Sequence, residues 1–183
     1  AYRQRAGGKC LAGAVHGAGA EILRGLLWPS GRCQRPGQHG GTLYRPQIIE
    51  KITSVDGAVL KQFEPEVLRK VPVSQETLQA LKDGMELVVR DQRGTAYTRF
   101  TGLRTPIFGK TGTATTSIED PHSWFAGFTD ANNPQKPDIA VAVILENAGD
   151  GSVYAAPVFR RVIEAYFTGE ISRYYWWETD YYV

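Results

Sequence analysis

Lys110, Thr111 and Thr113 are the residues of this chain best suited to hold an anionic ligand. They stand with Gly109 and Gly112 in the run "IFGKTGTATT" at 107–116. The run otherwise reads as a short strand, and sheet interiors usually avoid glycine, which adds conformational entropy and no side chain to pack. Side chains alternate along a strand, so Thr111 and Thr113 share one face while Lys110 and Gly112 share the other. Two hydroxyls about 7 Å apart, from the strand rise, can grip both ends of a carboxylate. The ammonium beside them adds positive charge, worth far more where water is excluded than in bulk. Gly112 would keep one face bare, so that another segment can come close to the backbone. At an edge or along a cleft, the outward N–H and C=O groups of such a strand can hold an extended peptide by strand addition. The chemistry is that of a peptide-binding wall with a carboxylate anchor.

Other candidates fall away. His122 and Ser123 are neighbours on a strand and point to opposite faces, so they cannot act as base and nucleophile. Cys10 and Cys33 have no CxxC spacing, which points to neither a metal site nor a disulfide framework. No metal or cofactor is expected. His16 and His39 lie in a glycine-rich leader and carry no functional weight.

The elements that must position the strand follow from local patterns. A length of 183 residues with 42% hydrophobic residues and a formal charge of +2 suits one globular domain. No apolar run approaches the roughly 18–20 residues needed to cross a bilayer. The chain begins at Ala1 with no signal-peptide layout, and the expectation is a piece of something longer. Residues 1–40 hold six of the 21 basic residues, one of the 19 acids and nine of the 20 glycines. That composition predicts a disordered leader or sequence foreign to the domain, and it is the leader that makes the chain basic. Nucleic-acid binding by the rest is therefore not expected.

From Gly41 the pattern changes. "PQIIEKITSVDGAVLKQFEP" holds two β-prone runs around Asp56-Gly57, a strong hairpin cue. "VSQETLQALKDGMELVVRDQRG" predicts a helix with Ser74 as N-cap and Leu78, Leu81, Met85 and Val88 on one face, ended by Gly94. Three strands follow at 107–115, 122–130 and 138–148, and the short "DANNPQKPD" connection makes the last two antiparallel. "AAPVFRRVIEAYF" is a final helix, with Pro157 in its first turn and Val158, Val162, Ile163 and Tyr166 as its buried stripe. The tail at 169–183, rich in aromatics, is expected to pack on the domain or on a partner.

A Lys-Thr-Gly triplet alone is weak, since average residue usage puts one in about 4% of chains this long. Four stretches in order are far more specific: "GGTLYRPQIIEKI", "GKTGTA", "HSWFAGF" and "IAVAVILENAGDGSVYAAPVFRRVIEAYF". Over residues 40–168 the chain resembles the C-terminal half of a penicillin-binding protein transpeptidase domain, most like class B penicillin-binding protein 2. The resemblance implies an α+β fold, a partial DD-peptidase/β-lactamase-like domain with an antiparallel sheet packed with helices and truncated at its N-terminal side. The domain organisation is then a 1–40 leader, a 41–168 C-terminal half and a 169–183 tail.

By the same resemblance, Lys110 assists proton movement and electrostatics beside a nucleophile. Lys110, Thr111, Gly112 and Thr113 form the substrate-binding strand, Thr111 and Thr113 binding the terminal carboxylate of a D-alanyl-D-alanine stem peptide or of a β-lactam. Thr111 and Thr113 face the cleft with Lys110 behind them, and the Thr113 N–H is one of two oxyanion-hole donors. The implied partners are peptidoglycan stem peptides, β-lactams and a cell-wall synthase, at the extracytoplasmic face of the bacterial membrane.

The chain also departs from that pattern. None of Ser30, Ser54, Ser74, Ser117, Ser123, Ser152 and Ser172 has lysine three positions on or asparagine two positions on. The Ser-x-x-Lys and Ser-x-Asn of the family are therefore missing, and the chain alone is expected not to turn over substrate. The Gly/Arg/Cys text of residues 1–40 replaces the amphipathic helix that the family would have there. Its expected origin is out-of-frame or mis-joined coding sequence, which reading the upstream DNA in three frames would test. Two other functions compete: a non-catalytic binding or assembly module, and a β-lactamase or D,D-carboxypeptidase relative. The "HSWFAGF" strand and the "ENAGDGSVYAAP" join rank the last one lowest. Exposure of the helix at 74–90 and of one sheet face predicts poorly cooperative unfolding.

Overall fold

Strand alternation and aromatic residues at matched positions build the centre of the molecule. The structure, a computed structural model, describes residues 42–45, 47–115, 120–175 and 178, so the predicted leader lies outside the described residues. Seven strands and three helices are defined among the described residues. They are β1 (Thr42–Tyr44), β2 (Lys51–Thr53), β3 (Val59–Gln62), β4 (Val67–Lys70), α1 (Gln75–Arg90), α2 (Tyr97–Phe100), β5 (Ile107–Ala114), β6 (His122–Thr129), β7 (Ala140–Leu145) and α3 (Ala155–Phe167). The fold is α+β, as expected. β1 pairs with β4 and β2 with β3 in two-stranded ribbons, while β5, β6 and β7 form an antiparallel sheet in that order. The hairpin predicted at Asp56-Gly57 is the β2–β3 turn, where Gly57 takes φ of 89°.

Each face of the main sheet has its own core. Ile107, Phe125 and Val143 pack with Phe100, Phe159, Ile163 and Val89. The three rings nest, Phe125 lying 4.7 Å from Phe159 and 5.2 Å from Phe100 between centroids. On the other face Phe108 stacks on Phe128 at 5.0 Å, with Met85 beside them. Helix α1 thus reaches round the edge of β5, giving Val89 to one core and Met85 to the other. Lys82 ties the same helix to Asp130 beyond β6 at 2.5 Å, its ammonium 4.7 Å from the Phe108 ring centroid.

The helix ends refine the expectations. Ser74 caps α1 as predicted, its hydroxyl accepting from the Thr77 N–H at 3.2 Å. The helix stops at Arg90, earlier than Gly94, and Gly94 does something else. A Cβ on Gly94 would sit 2.2 Å from the Leu87 carbonyl oxygen, so the chain folds back against the last turn only because that residue has no side chain. The predicted stripe of α3 is corrected. Phe159 and Ile163 are fully buried, Arg160 and Glu164 are buried with them, and Val162 is 38% exposed. The buried charges shift the inner face because Arg160 donates to the carbonyls of Arg99 and Thr101 at the end of α2, which no apolar side chain could satisfy.

The same charges bind the tail, which packs on the domain over its described part. Ser172 donates to Glu164, Arg161 pairs with Glu178, and the Glu178 carboxylate accepts from the Tyr175 N–H at 2.6 Å. The Arg161 hydrogen bond holds the Glu178 carboxyl below its ordinary value. Burial would raise Glu164, but hydrogen bonds from Ser172 and Arg160 outweigh it and hold that carboxyl low as well. Groups depressed on folding stabilise fully above their unfolded value, here 4.5, and lose that contribution as pH falls through the lower folded value. The expected result is loss of hydrogen-exchange protection at the Tyr175 amide below that pH. In Glu178→Gln the amide should be less protected at neutral pH and change little in acid. Protection that stays constant into acid would refute the account.

Candidate functional site

β5 places the Lys-Thr-Gly-Thr run at an edge of the three-stranded sheet. Among the described residues it pairs with β6 alone, in continuous register from Ile107 opposite Thr129 to Ala114 opposite His122. The Asp130 N–H donates to the Pro106 carbonyl, which sets the phase of that ladder. In an antiparallel pair, hydrogen-bonded and non-hydrogen-bonded positions alternate. Phe108, Lys110, Gly112 and Ala114 therefore bond to β6, while Gly109, Thr111 and Thr113 turn their N–H and C=O groups to the outer edge. The Thr129 N–H donates to the Ile139 carbonyl, and this gives β6 the matching phase on its other side. The Lys110 ammonium, 2.5 Å from the Thr111 carbonyl oxygen, agrees with an outward carbonyl.

Exposure along the run does not follow the alternation of faces. Thr113 and Lys110 are exposed and Thr111 is half-buried. The Thr111 hydroxyl lies 3.0 Å from that of Thr95, a residue of the turn after α1. Sequence reading missed Thr95, and no local signal could have found it. An open hollow of about 430 Å³ lies beside the strand, lined by Gly84, Leu87, Val88, Asp91, Thr95 and Lys110 among others. Of the β5 residues, Lys110 lines it and Thr111 and Thr113 do not.

The glycines have separate causes. A Cβ on Gly109 would lie 2.4 Å from the Phe125 ring, so this position is bare to seat an aromatic ring. A Cβ on Gly112 would lie 3.1 Å from the Trp124 Cβ. The segment that comes close to Gly112 is the β7–α3 join, and it is Gly151 whose Cβ would strike the Gly112 carbonyl oxygen at 2.4 Å. Close approach is thus secured by Gly151 rather than by Gly112.

His122 and Ser123 are structural, as the alternation argued. Ser123 is fully buried, donating to the Asp150 carbonyl at 3.0 Å and accepting from the Ala155 N–H at the start of α3. His122 Nδ1 accepts from the Asn147 N–H at 3.0 Å. Among the described residues no group of His, Cys, Asp or Glu is placed to hold a metal ion. No helix among them is long and apolar enough to cross a membrane.

An antiparallel sheet with a C-terminal helix across one face and Lys-Thr-Gly-Thr along its edge defines a partial α+β domain of the DD-peptidase type. Comparison with known proteins carries this one step further. The chain belongs to the penicillin binding protein transpeptidase domain family, whose model matches residues 38–164. It is 30% identical over 145 residues to the peptidoglycan D,D-transpeptidase MrdA of Haemophilus influenzae, covering 70% of this chain and 21% of that protein. Among solved structures it is similar to penicillin-binding protein A of M. tuberculosis in a ceftriaxone acyl-enzyme complex. That match has 27% identity and a TM-score of 0.58, over 81% of this chain and 30% of the other. It also matches a chain of a peptidoglycan synthase complex that coordinates polymerization and crosslinking, with 27% identity and a TM-score of 0.58 over 76% of this chain and 24% of that one. The chain spans about a fifth to a third of the length of these relatives.

Proposed function

We propose that the chain supplies the carboxylate-binding wall of a peptidoglycan D,D-transpeptidase, which cross-links stem peptides by acyl transfer through a serine. Thr111 and Thr113 would hold the terminal carboxylate of a D-alanyl-D-alanine peptide or a β-lactam, with Gly112 between them in the substrate-binding strand. Lys110 would add positive charge and assist proton movement. The Thr113 N–H would face the developing oxyanion, a role worth about 3–4 kcal/mol where one such donor was removed from another enzyme. The observation that carries this reading is the ladder phase, which turns the backbone groups of Thr111 and Thr113 to the outer edge. The acylated serine and its lysine would come from polypeptide beyond these 183 residues, which contain no Ser-x-x-Lys. The setting would be the extracytoplasmic face of the bacterial membrane, with a cell-wall synthase as partner.

Lack of the nucleophile motif favours a second, narrower reading for this chain by itself, as a module that binds such peptides without acylation. The two halves of the proposal are tested together. Intact-mass spectrometry after incubation with a reactive penicillin should show no added mass, and an adduct would place a nucleophile in this chain. A D-Ala-D-Ala-terminated peptide should bind noncovalently and lose binding in Thr111→Val. Binding indifferent to that change would remove the carboxylate role.

A further inference from the structure

The turn after α1 is built to hold one hydroxyl against the Lys-Thr-Gly strand. Gly94 lies against the carbonyls of Leu87 and Val88, and its own N–H donates to the Asp91 carbonyl at 2.8 Å. Ala96 is fully buried and its N–H donates to the Val88 carbonyl at 3.0 Å. Thr95 is therefore fixed on both sides by the helix end, although its own side chain is exposed. Its hydroxyl meets that of Thr111 at 3.0 Å, and it shares the lining of the hollow with Lys110.

A hydroxyl can donate once and accept twice, whereas a carboxylate only accepts. If Thr111 gives its proton to a ligand carboxylate, the direction of the Thr95–Thr111 bond is settled: Thr95 must donate and Thr111 accept. The two hydroxyls then form a chain ending on the ligand, and each bond polarises the next. We infer that Thr95 is a positioning residue for carboxylate recognition, orienting the Thr111 hydroxyl and strengthening it as a donor. The inference rests on the carboxylate-binding reading of Thr111 given above.

The test is a titration of the full chain with a D-alanyl-D-alanine-terminated peptide and with its C-terminal amide, followed by NMR. Loss of one neutral hydrogen bond predicts binding of the free acid about three- to ten-fold weaker in Thr95→Val. Thr95→Ser, which keeps the hydroxyl, should restore it. The amide should bind weakly and alike to all three proteins. Thermal unfolding should be the same in each, since the Thr95 side chain is exposed. If Thr111→Val abolishes binding while Thr95→Val binds like the unaltered chain, the positioning role is wrong and the carboxylate reading stands. Equal weakening in Thr95→Ser and Thr95→Val would show a structural effect and also overturn the inference. No binding by the unaltered chain, or none lost in Thr111→Val, would overturn both.

Discussion

Glu164→Ala is expected to destabilise the chain by about 3–5 kcal/mol, the range for breaking a buried ion pair by removing one partner. The side chains of Arg160 and Glu164 are each only 3% exposed, and they meet at 2.7 Å one helical turn apart. Arg160 also donates to the Arg99 and Thr101 carbonyls and to Ser172, and Arg161 donates to the second Glu164 oxygen. Without the carboxylate, a buried guanidinium keeps its hydrogen-bond acceptors on α2 but loses its counter-charge. Glu164→Gln should cost less, because it keeps an acceptor of the same shape. The double change Arg160→Met with Glu164→Leu leaves no buried charge but strips the Arg99 and Thr101 carbonyls of their donor, so it should cost more than Glu164→Gln. Urea unfolding would order the three. A loss under about 1 kcal/mol in Glu164→Ala would mean that water reaches the pair, and the clamp between α2, α3 and the tail would need another explanation.

Gly109→Ala is the second large effect. Its new methyl would stand 2.4 Å from Cζ and 2.7 Å from Cε1 of Phe125. The Phe125 ring is fully buried between Phe100 and Phe159, so it cannot swing aside without displacing both. Overfilling a packed core costs about 1–3 kcal/mol, and this contact falls at the upper end because the obstacle is held on two sides. Gly112→Ala meets Trp124 at 3.1 Å and should cost distinctly less. Phe125→Leu should recover part of the Gly109→Ala loss by clearing the space, a coupling that a double-mutant cycle would measure. Additive losses in that cycle would mean that the ring is not the obstacle. Phe125 is the register partner of Thr111, so the same substitution should also shift the NMR signals of the Thr111 backbone.

These two cases separate what was legible from what was not. The apolar period of α1 and the alternation of β5 were visible in the chain, and so were the Ser74 cap and the Asp56-Gly57 turn. The three main strands lie where expected, each within a few residues. α3 spans Ala155–Phe167 as read, yet its inner face was misjudged. Arg160 and Glu164 look like an exposed pair four residues apart, and their burial follows from acceptors on α2 and the tail.

Local rules of the chain were enough for α1, α3, the β2–β3 hairpin, the three main strands and the grouping of Thr111 with Thr113, because periodicity and capping depend on neighbours within a few residues; β1, β4 and α2 were not read. The family could be read at that level too, since its motifs are contiguous words. Tertiary structure alone decided which backbone groups of β5 face outward, that a ring from β6 fills the place of a Gly109 side chain, and that Thr95 meets Thr111. Each of those depends on the register or docking of segments far apart in the chain, where the deciding energy is a long-range contact that no short window contains.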